Sequence, residues 1–178
     1  DPMKMETQVG ALISKEHCEK VMGYIEIGKK EGGKLLLGGK RYKSTDQPEL
    51  NEGFFVEPTI FDINNEDARI VKEEIFGPVM SVLSFKTEEE VIKKANNTIY
   101  GLAAGVFTND LQGAHRMVNQ LEAGICWVNN YNITPVEVPF GPYKQSGIGR
   151  ENGLATIDAY TQLKTVYFEM NKIDSPYR

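Results

Sequence analysis

Two segments of the sequence carry side chains that could do chemistry, and the first is an acidic turn. Glu73 and Glu74 stand directly before an Ile-Phe-Gly-Pro run within Lys72–Val79. A carboxylate is a good hydrogen-bond acceptor, so this turn could hold the hydroxyls of a ribose or another sugar. The alternative is an ordinary solvated acidic turn that leads into a strand.

The second segment is Asn129–Gly149, in which prolines and glycines interrupt any helical or strand pattern. A structureless stretch of this length is uncommon inside a compact domain, and it is usually either functional or disordered. It contains Tyr131, Phe140 and Tyr143, aromatic residues of a kind that a disordered linker rarely has. We therefore interpret the stretch as a functional loop.

The cysteines and histidines give no further site. Cys18 and Cys126 lie far apart in the sequence, so they offer neither a disulfide framework nor a metal-binding spacing. Cys18 falls on the apolar face of a predicted helix and Cys126 in a short predicted strand, which favours inert core thiols. His17 and His115 lie on predicted helices without a paired carboxylate, and we interpret them as surface or capping residues.

The composition disfavours several classes of protein. With 40% hydrophobic and 25% charged residues, the 178-residue chain is typical of a globular protein, and one domain is the default for its length. Its 20 basic and 25 acidic residues give a net charge of −5, which disfavours nucleic acid as a partner. No uncharged stretch is long enough to cross a membrane. The two cysteines favour the reducing cytoplasm.

Hydrophobic spacing and capping residues predict the elements that must position the two segments. We expect four helices: from the cap Ser14 to about Glu31, from the capping box at Thr87 to about Asn97, from Asp110 to Gly124, and near Glu151–Thr161. We expect strands at Leu35–Leu37, Phe54–Phe61, Val79–Phe85, Leu102–Phe107, Ile125–Val128 and Leu163–Met170. This alternation predicts an α/β fold, with a layered, largely parallel sheet and flanking helices.

Three ordered blocks resemble the aldehyde dehydrogenase superfamily. They read E-I-F-G-P-V at Glu74–Val79, Y-G-L-A-A-G-V-F-T at Tyr100–Thr108 and P-F-G-P-Y-K-Q-S-G-I-G-R-E at Pro139–Glu151. Within the superfamily, Ala123–Asn132 and Gly149–Gly153 are most similar to betaine aldehyde and 4-trimethylaminobutyraldehyde dehydrogenases. The resemblance implies that residues 1–161 are the C-terminal part of a catalytic domain and that residues 162–178 are an oligomerisation strand and tail.

The resemblance also implies a reaction. Members of the superfamily use NAD or NADP to oxidise an aldehyde to the carboxylate through a thiohemiacetal on a cysteine, and water activated by a glutamate hydrolyses the resulting thioester. The nucleophilic cysteine, the general-base glutamate and the dinucleotide-binding loop have no counterpart in this sequence. The isolated chain is therefore predicted to be inactive. The resemblance also implies that the complete enzyme is a homodimer or a homotetramer.

The superfamily motifs assign roles to individual residues. By resemblance, Glu74 holds the ribose hydroxyls of the nicotinamide half of the cofactor, and Phe76 packs beside its nicotinamide end. Glu151 matches a second active-site glutamate that takes part in a charge relay. The backbone carbonyls of Lys144 and Gly147 match a potassium site between subunits in some relatives, and hard cations prefer such oxygen ligands.

The loop residues bear on the substrate. By resemblance, Tyr131, Thr134 and Phe140 fall where the superfamily lines its substrate tunnel. Aromatic faces attract a quaternary ammonium, Glu137 could add a negative field, and no arginine occurs in Asn129–Gly149. These features favour betaine aldehyde or a similar trimethylammonium aldehyde. The alternative is that the aromatic rings anchor the loop and Glu137 is merely solvated.

Two other functions stay open from the sequence. The enzyme could act on neutral aldehydes. The chain could instead be a binding or assembly module, since the predicted strand Leu163–Met170 would offer unpaired backbone groups to another chain.

Overall fold

The computed structural model describes residues 1–172 of the chain. These residues fall into two compact units, residues 1–98 and residues from 99 onward. This division lies inside the segment 1–161 that the resemblance assigns to one catalytic-domain part, and the expected boundary after residue 161 stays a prediction. None of the helices formed by the described residues combines the length and the apolar character needed to cross a bilayer.

The first unit places one long helix against a mixed three-stranded sheet. Its elements are α1 (Lys15–Lys30), β1 (Lys34–Leu37), a 3₁₀ turn (Pro48–Glu52), β2 (Thr59–Asp62), α2 (Arg69–Lys72), β3 (Val79–Val82) and α3 (Glu88–Asn96). Strand β1 pairs antiparallel with β2, and β2 pairs parallel with β3. The parallel pair is joined through α2, as a crossover between parallel strands requires.

Local sequence accounts for both main helices of this unit. The Ser14 hydroxyl caps α1 by accepting a hydrogen bond from the His17 backbone N–H at 3.1 Å. The Thr87 hydroxyl caps α3 by accepting one from the Glu90 N–H. The Glu90 carboxylate reaches back to the N–H of Lys86, one residue earlier than in a standard capping box. The predicted starts of both helices are therefore confirmed.

The core of the first unit lies between α1 and the sheet. Val21 and Ile25 of α1 are fully buried against Phe61 of β2. Burial of such a side chain stabilises the fold by roughly 1.5–3 kcal/mol. Gly28 allows this close approach, because a Cβ there would lie 2.9 Å from the Ile70 side chain and 3.2 Å from the Phe61 ring.

The second unit has two small sheets. Its elements are β4 (Tyr100–Gly101), β5 (Ala103–Val106), α4 (Leu111–Gln120), β6 (Ile125–Val128), β7 (Tyr143–Lys144) and α5 (Ala155–Tyr160). Strands β5 and β6 are parallel and are joined through α4, whereas β4 and β7 are antiparallel. The α/β prediction is confirmed, with parallel and antiparallel pairs mixed.

Several predicted boundaries differ from the structure. Strand β2 begins only at Thr59, because Pro58 cannot donate to a ladder. The last helix begins at Ala155 rather than near Glu151. The prediction of a strand at Leu163–Met170 is wrong: these residues form no strand, and their large apolar side chains are exposed. A strand needs a hydrogen-bonded neighbour, and the described chain supplies none here. Residues 173–178 of the predicted tail lie outside the described residues.

Candidate active site

The acidic turn of the first unit is fixed to the core at two alternate residues, Ile75 and Gly77. Ile75 is buried, whereas Glu74 and Phe76 on either side of it are exposed. Gly77 lies so close to α1 that a Cβ there would be 2.7 Å from a methyl group of the buried Val21. The turn thus presents a carboxylate and a ring to solvent from a fixed backbone.

The two neighbouring glutamates of this turn have different surroundings. The Glu73 carboxylate accepts hydrogen bonds from the Arg69 guanidinium at 2.8 and 2.9 Å and from the Tyr24 hydroxyl at 2.7 Å. The bonds from Arg69, and then that from Tyr24, lower the pKa of Glu73 to about 2. The Glu74 carboxylate takes part in no hydrogen bond or ion pair within the described residues. Glu73 is therefore structural, and Glu74 is the carboxylate open to a ligand.

Phe76 adopts a left-handed backbone conformation, with φ of +56°. A residue with a Cβ held in this region costs about 1–3 kcal/mol, and such strain clusters at functional sites. The Phe76 carbonyl lies 2.7 Å from Nε2 of His17, and the two rings meet edge to face at 5.9 Å. The backbone of His17 does belong to the cap, as predicted, but the contact of its ring with Phe76 was not foreseen.

In the second unit, the loop residues Phe140 and Glu151 are paired through their backbones. Each N–H donates to the carbonyl of the other at 2.7 Å. Both residues line an open groove of about 350 Å³ together with Gly147, Ser146, Ile148 and Arg150. The exposed Glu151 carboxylate has the Tyr160 hydroxyl 3.5 Å from Oε1. The structure thus brings three predicted site residues, Phe140, Gly147 and Glu151, to one groove.

Arg150 bonds to both ends of the segment 142–149, the last part of the loop. Its Nη1 donates to the carbonyls of Pro142 at 3.0 Å and Gly149 at 2.7 Å. Its guanidinium also lies 5.6 Å from the centre of the Tyr143 ring. The sequence motif included Arg150 but gave it no role; its position beside a predicted catalytic glutamate was the available signal.

Tyr131 stands apart from the groove. Its ring packs against Trp127 at 5.0 Å, and the Trp127 indole N–H donates to the Ile133 carbonyl at 2.8 Å. More than half of Tyr131 remains exposed. Thr134 and Glu137 are also exposed, and neither lines the groove. Tyr131 therefore both anchors the loop and keeps an accessible face.

Comparison with known proteins assigns the family. The family description "Aldehyde dehydrogenase family" matches residues 1–166. The chain belongs to the aldehyde dehydrogenase family. It is 58% identical over 175 residues to 4-trimethylaminobutyraldehyde dehydrogenase A of Danio rerio, covering 98% of this chain and 34% of that protein. It is 56% identical over 177 residues to betaine aldehyde dehydrogenase of Brucella anthropi, covering 99% of this chain and 36% of that protein.

A solved structure of the family gives the same result for the fold. The NAD⁺ complex of an aldehyde dehydrogenase from Bacillus cereus superimposes with a TM-score of 0.86 at 48% identity, covering 95% of this chain and 33% of that one. The α/β architecture is therefore that of the aldehyde dehydrogenases. The chain spans about a third of the length of the relatives it matches.

The cysteines of this aldehyde dehydrogenase chain are unsuited to nucleophilic attack. Cys18 lies on α1 and is 3% exposed, within the core of the first unit. Cys126 lies in β6, and burial raises the pKa of its thiol, which disfavours the reactive thiolate. Both cysteines are free. These positions agree with the inert thiols expected from the sequence.

The residues expected to hold potassium, Lys144 and Gly147, share one turn and both have positive φ, +51° and +143°. The Lys144 ammonium is paired with the Glu122 carboxylate. Two carbonyls from one turn are fewer oxygens than a hard cation takes, which is about six to eight for Ca²⁺. Within residues 1–172 no group of three or more Asp, Glu, Cys or His side chains is placed to hold a metal ion. Potassium binding at Lys144 and Gly147 stays a prediction.

Proposed function

We propose that this chain is part of an NAD-dependent aldehyde dehydrogenase that oxidises a trimethylammonium aldehyde, such as betaine aldehyde, to its carboxylate. Sequence identity to relatives named for such aldehydes supports the substrate class. The observation that carries the proposal is the unpartnered Glu74 carboxylate on a turn fixed to the core. In this scheme the turn serves the cofactor, and the loop of the second unit serves the aldehyde.

The acidic turn fits the nicotinamide half of NAD⁺. The Glu74 carboxylate would accept hydrogen bonds from ribose hydroxyls, because it has no other partner in the described chain. The exposed Phe76 ring would pack beside the nicotinamide. NAD⁺ supplies the hydride acceptor when it is bound. The fixed backbone of this turn would orient the acceptor, which lowers the entropic part of the barrier.

Glu151 would move protons beside the bound aldehyde. Its carboxylate is exposed at the groove that Phe140 also lines, and Oε1 faces the Tyr160 hydroxyl. A carboxylate in this setting can accept a proton from water and release it to solvent. The backbone pairing of Glu151 with Phe140 fixes the point from which the side chain acts.

The loop surroundings favour a cationic aldehyde. Tyr131 and Trp127 form an aromatic pair, Glu137 is exposed, and the guanidinium of the neighbouring Arg150 is occupied by carbonyls and the Tyr143 ring. One aromatic face attracts a quaternary ammonium by about 0.5–2 kcal/mol. An arginine free to bind an anionic aldehyde is therefore lacking among the described loop residues.

A pair of isosteric aldehydes tests the substrate class in the complete protein. Betaine aldehyde and 3,3-dimethylbutanal have the same shape but differ in charge, so we expect the charged one to show the higher kcat/KM. Tyr131→Leu should reduce that preference by about twofold to thirtyfold. Tyr42→Leu, which removes an aromatic ring from a pair with Phe55 in the first unit, is the matched control.

The outcomes separate the alternatives. Equal kcat/KM for both aldehydes would assign the enzyme to neutral substrates instead. The 178-residue chain alone is the blank and should form no NADH, since neither of its cysteines is placed as a nucleophile. NADH formation by that blank would contradict the assignment of the nucleophile to another part of the protein.

An assembly role is the second candidate, and the exposed apolar side chains of residues 163–170 favour it. Light scattering on the chain alone would contradict this role if the chain were monomeric at every concentration. A homodimeric or homotetrameric complete enzyme, potassium binding at Lys144 and Gly147, and a cytoplasmic location stay predictions.

A further inference from the structure

The turn that presents Glu74 and Phe76 is contacted by a side chain 59 residues earlier in the sequence. Nε2 of His17 lies 2.7 Å from the carbonyl oxygen of Phe76, and the two rings are 5.9 Å apart. We propose that His17 is a positioning residue, whose hydrogen bond holds the left-handed backbone of Phe76 and with it the Glu74 carboxylate. The inference rests on the proposed function of this turn in binding NAD⁺.

The direction of the hydrogen bond follows from its acceptor. A carbonyl oxygen can only accept, so Nε2 of His17 carries the hydrogen and donates it to Phe76. Both the neutral Nε2–H form and the imidazolium carry a hydrogen on Nε2 and can donate this bond. The contact is therefore a fixed support for the Phe76 carbonyl.

Helix α1 holds His17 in place from its own side. The Ser14 hydroxyl accepts the His17 backbone N–H, which fixes the first helical turn. The next residue on the helix, Cys18, is buried, and Val21 contacts the turn at Gly77. Helix α1 thus touches the acidic turn at three points, through the side chains of His17, Val21 and Tyr24.

The turn needs a support at Phe76 in particular. Ile75 is anchored by burial and Gly77 by its contact with Val21, but Phe76 itself is 73% exposed and has a φ of +56°. A residue with a Cβ relaxes from this region unless its surroundings prevent it. Relaxation at Phe76 would displace its ring and shift the backbone that carries Glu74, two residues earlier in the turn.

The test is equilibrium binding of NAD⁺ to the complete protein by calorimetry, together with steady-state kinetics. His17→Ala removes the donor, and His17→Phe keeps a ring but has no donor. Both should raise the Kd and the KM for NAD⁺ by about threefold to tenfold, the effect of one lost neutral hydrogen bond. The KM for the aldehyde should stay the same. His17→Gln keeps an N–H donor and should restore much of the affinity.

Glu16→Gln, at the exposed neighbouring position of α1, is the matched control and should bind NAD⁺ normally. Unchanged NAD⁺ affinity in both the alanine and the phenylalanine variants would overturn the inference. It would also be overturned if the glutamine variant were as weak as those two, because the loss would then reflect general disturbance of the helix.

Glu74→Gln, measured in parallel, separates this inference from the proposed function. If Glu74→Gln leaves NAD⁺ binding unchanged, the proposed function of the turn fails. If it weakens binding while the His17 variants do not, only the role of His17 fails. When His17 acts through the turn, the double variant should lose less affinity than the sum of the two single losses. Full additivity would contradict the proposal.

Discussion

The two candidate binding segments are held in different ways. The Glu74–Phe76 turn is fixed by side chains of the core and of α1: Ile75 is buried, Val21 abuts Gly77, and His17 bonds to Phe76. The loop of the second unit is held chiefly by backbone pairing and by Arg150, while most of its side chains lie in solvent. A rigid turn suits a cofactor of constant shape, and a loop on a scaffold suits a substrate that varies among relatives.

The largest expected effect tests the rigid segment. Glu74→Gln in the complete protein should lower kcat/KM for NAD⁺ by about tenfold to a hundredfold, because hydrogen bonds to a charged acceptor are the strong ones. Glu73→Gln is the matched control, since its carboxylate is occupied by Arg69 and Tyr24. Steady-state kinetics at saturating aldehyde measures both. Equal losses of kcat/KM in the two variants would contradict the separate roles of Glu73 and Glu74.

A middle-sized effect tests the loop. Arg150→Lys keeps the charge but loses the guanidinium that reaches two carbonyls and the Tyr143 ring. We expect the KM for the aldehyde to rise by about threefold to tenfold, as for one or two lost hydrogen bonds. The KM for NAD⁺ should change little.

Arg41→Lys provides the control for that experiment. Arg41 also donates to a backbone carbonyl, that of Gly53 at 2.8 Å, but it belongs to neither of the two segments. A rise in the KM for NAD⁺ as large as that for the aldehyde in Arg150→Lys would contradict the division of roles between the two segments.

The same contrast explains what the sequence could predict. Ser14 and Thr87 predicted the starts of their helices, because the side chain of a capping residue bonds to a backbone N–H three residues later. The motifs singled out Glu74, Phe140 and Glu151 as candidates, because each motif is contiguous in sequence. The site contacts that the sequence did not show join distant residues or backbone groups.

His17 is the clearest case of this limit. Its partner Phe76 is 59 residues away, and no spacing rule connects a helical histidine to a carbonyl in a turn. Arg150 is a second case, because its acceptors are main-chain oxygens, which no residue type identifies. The strand predicted at Leu163–Met170 failed for a related reason: its composition is typical of a strand, but a strand also needs a neighbour to pair with.

The smallest expected effect concerns stability and returns to the two glutamates. The pKa of Glu73 falls from its ordinary value of 4.5 to about 2 because Arg69, and then Tyr24, donate to the carboxylate. A lowered pKa in the folded state means that the ionised form stabilises the protein above pH 4.5, and that this contribution fades as the pH falls toward 2. Because Arg69 and Glu73 are partly exposed, the contribution is small and is screened by salt.

Melting temperatures of the complete protein measure this effect. Glu73→Gln should melt below wild type at pH 7, and the difference should shrink as the pH is lowered from 4.5 and as salt is added. Glu74→Gln should melt like wild type at pH 7, since the substitution removes no partner of this carboxylate within the described chain. A melting temperature lowered as much in Glu74→Gln as in Glu73→Gln would mean that this carboxylate is engaged in the fold. It would then not be free to receive a ribose.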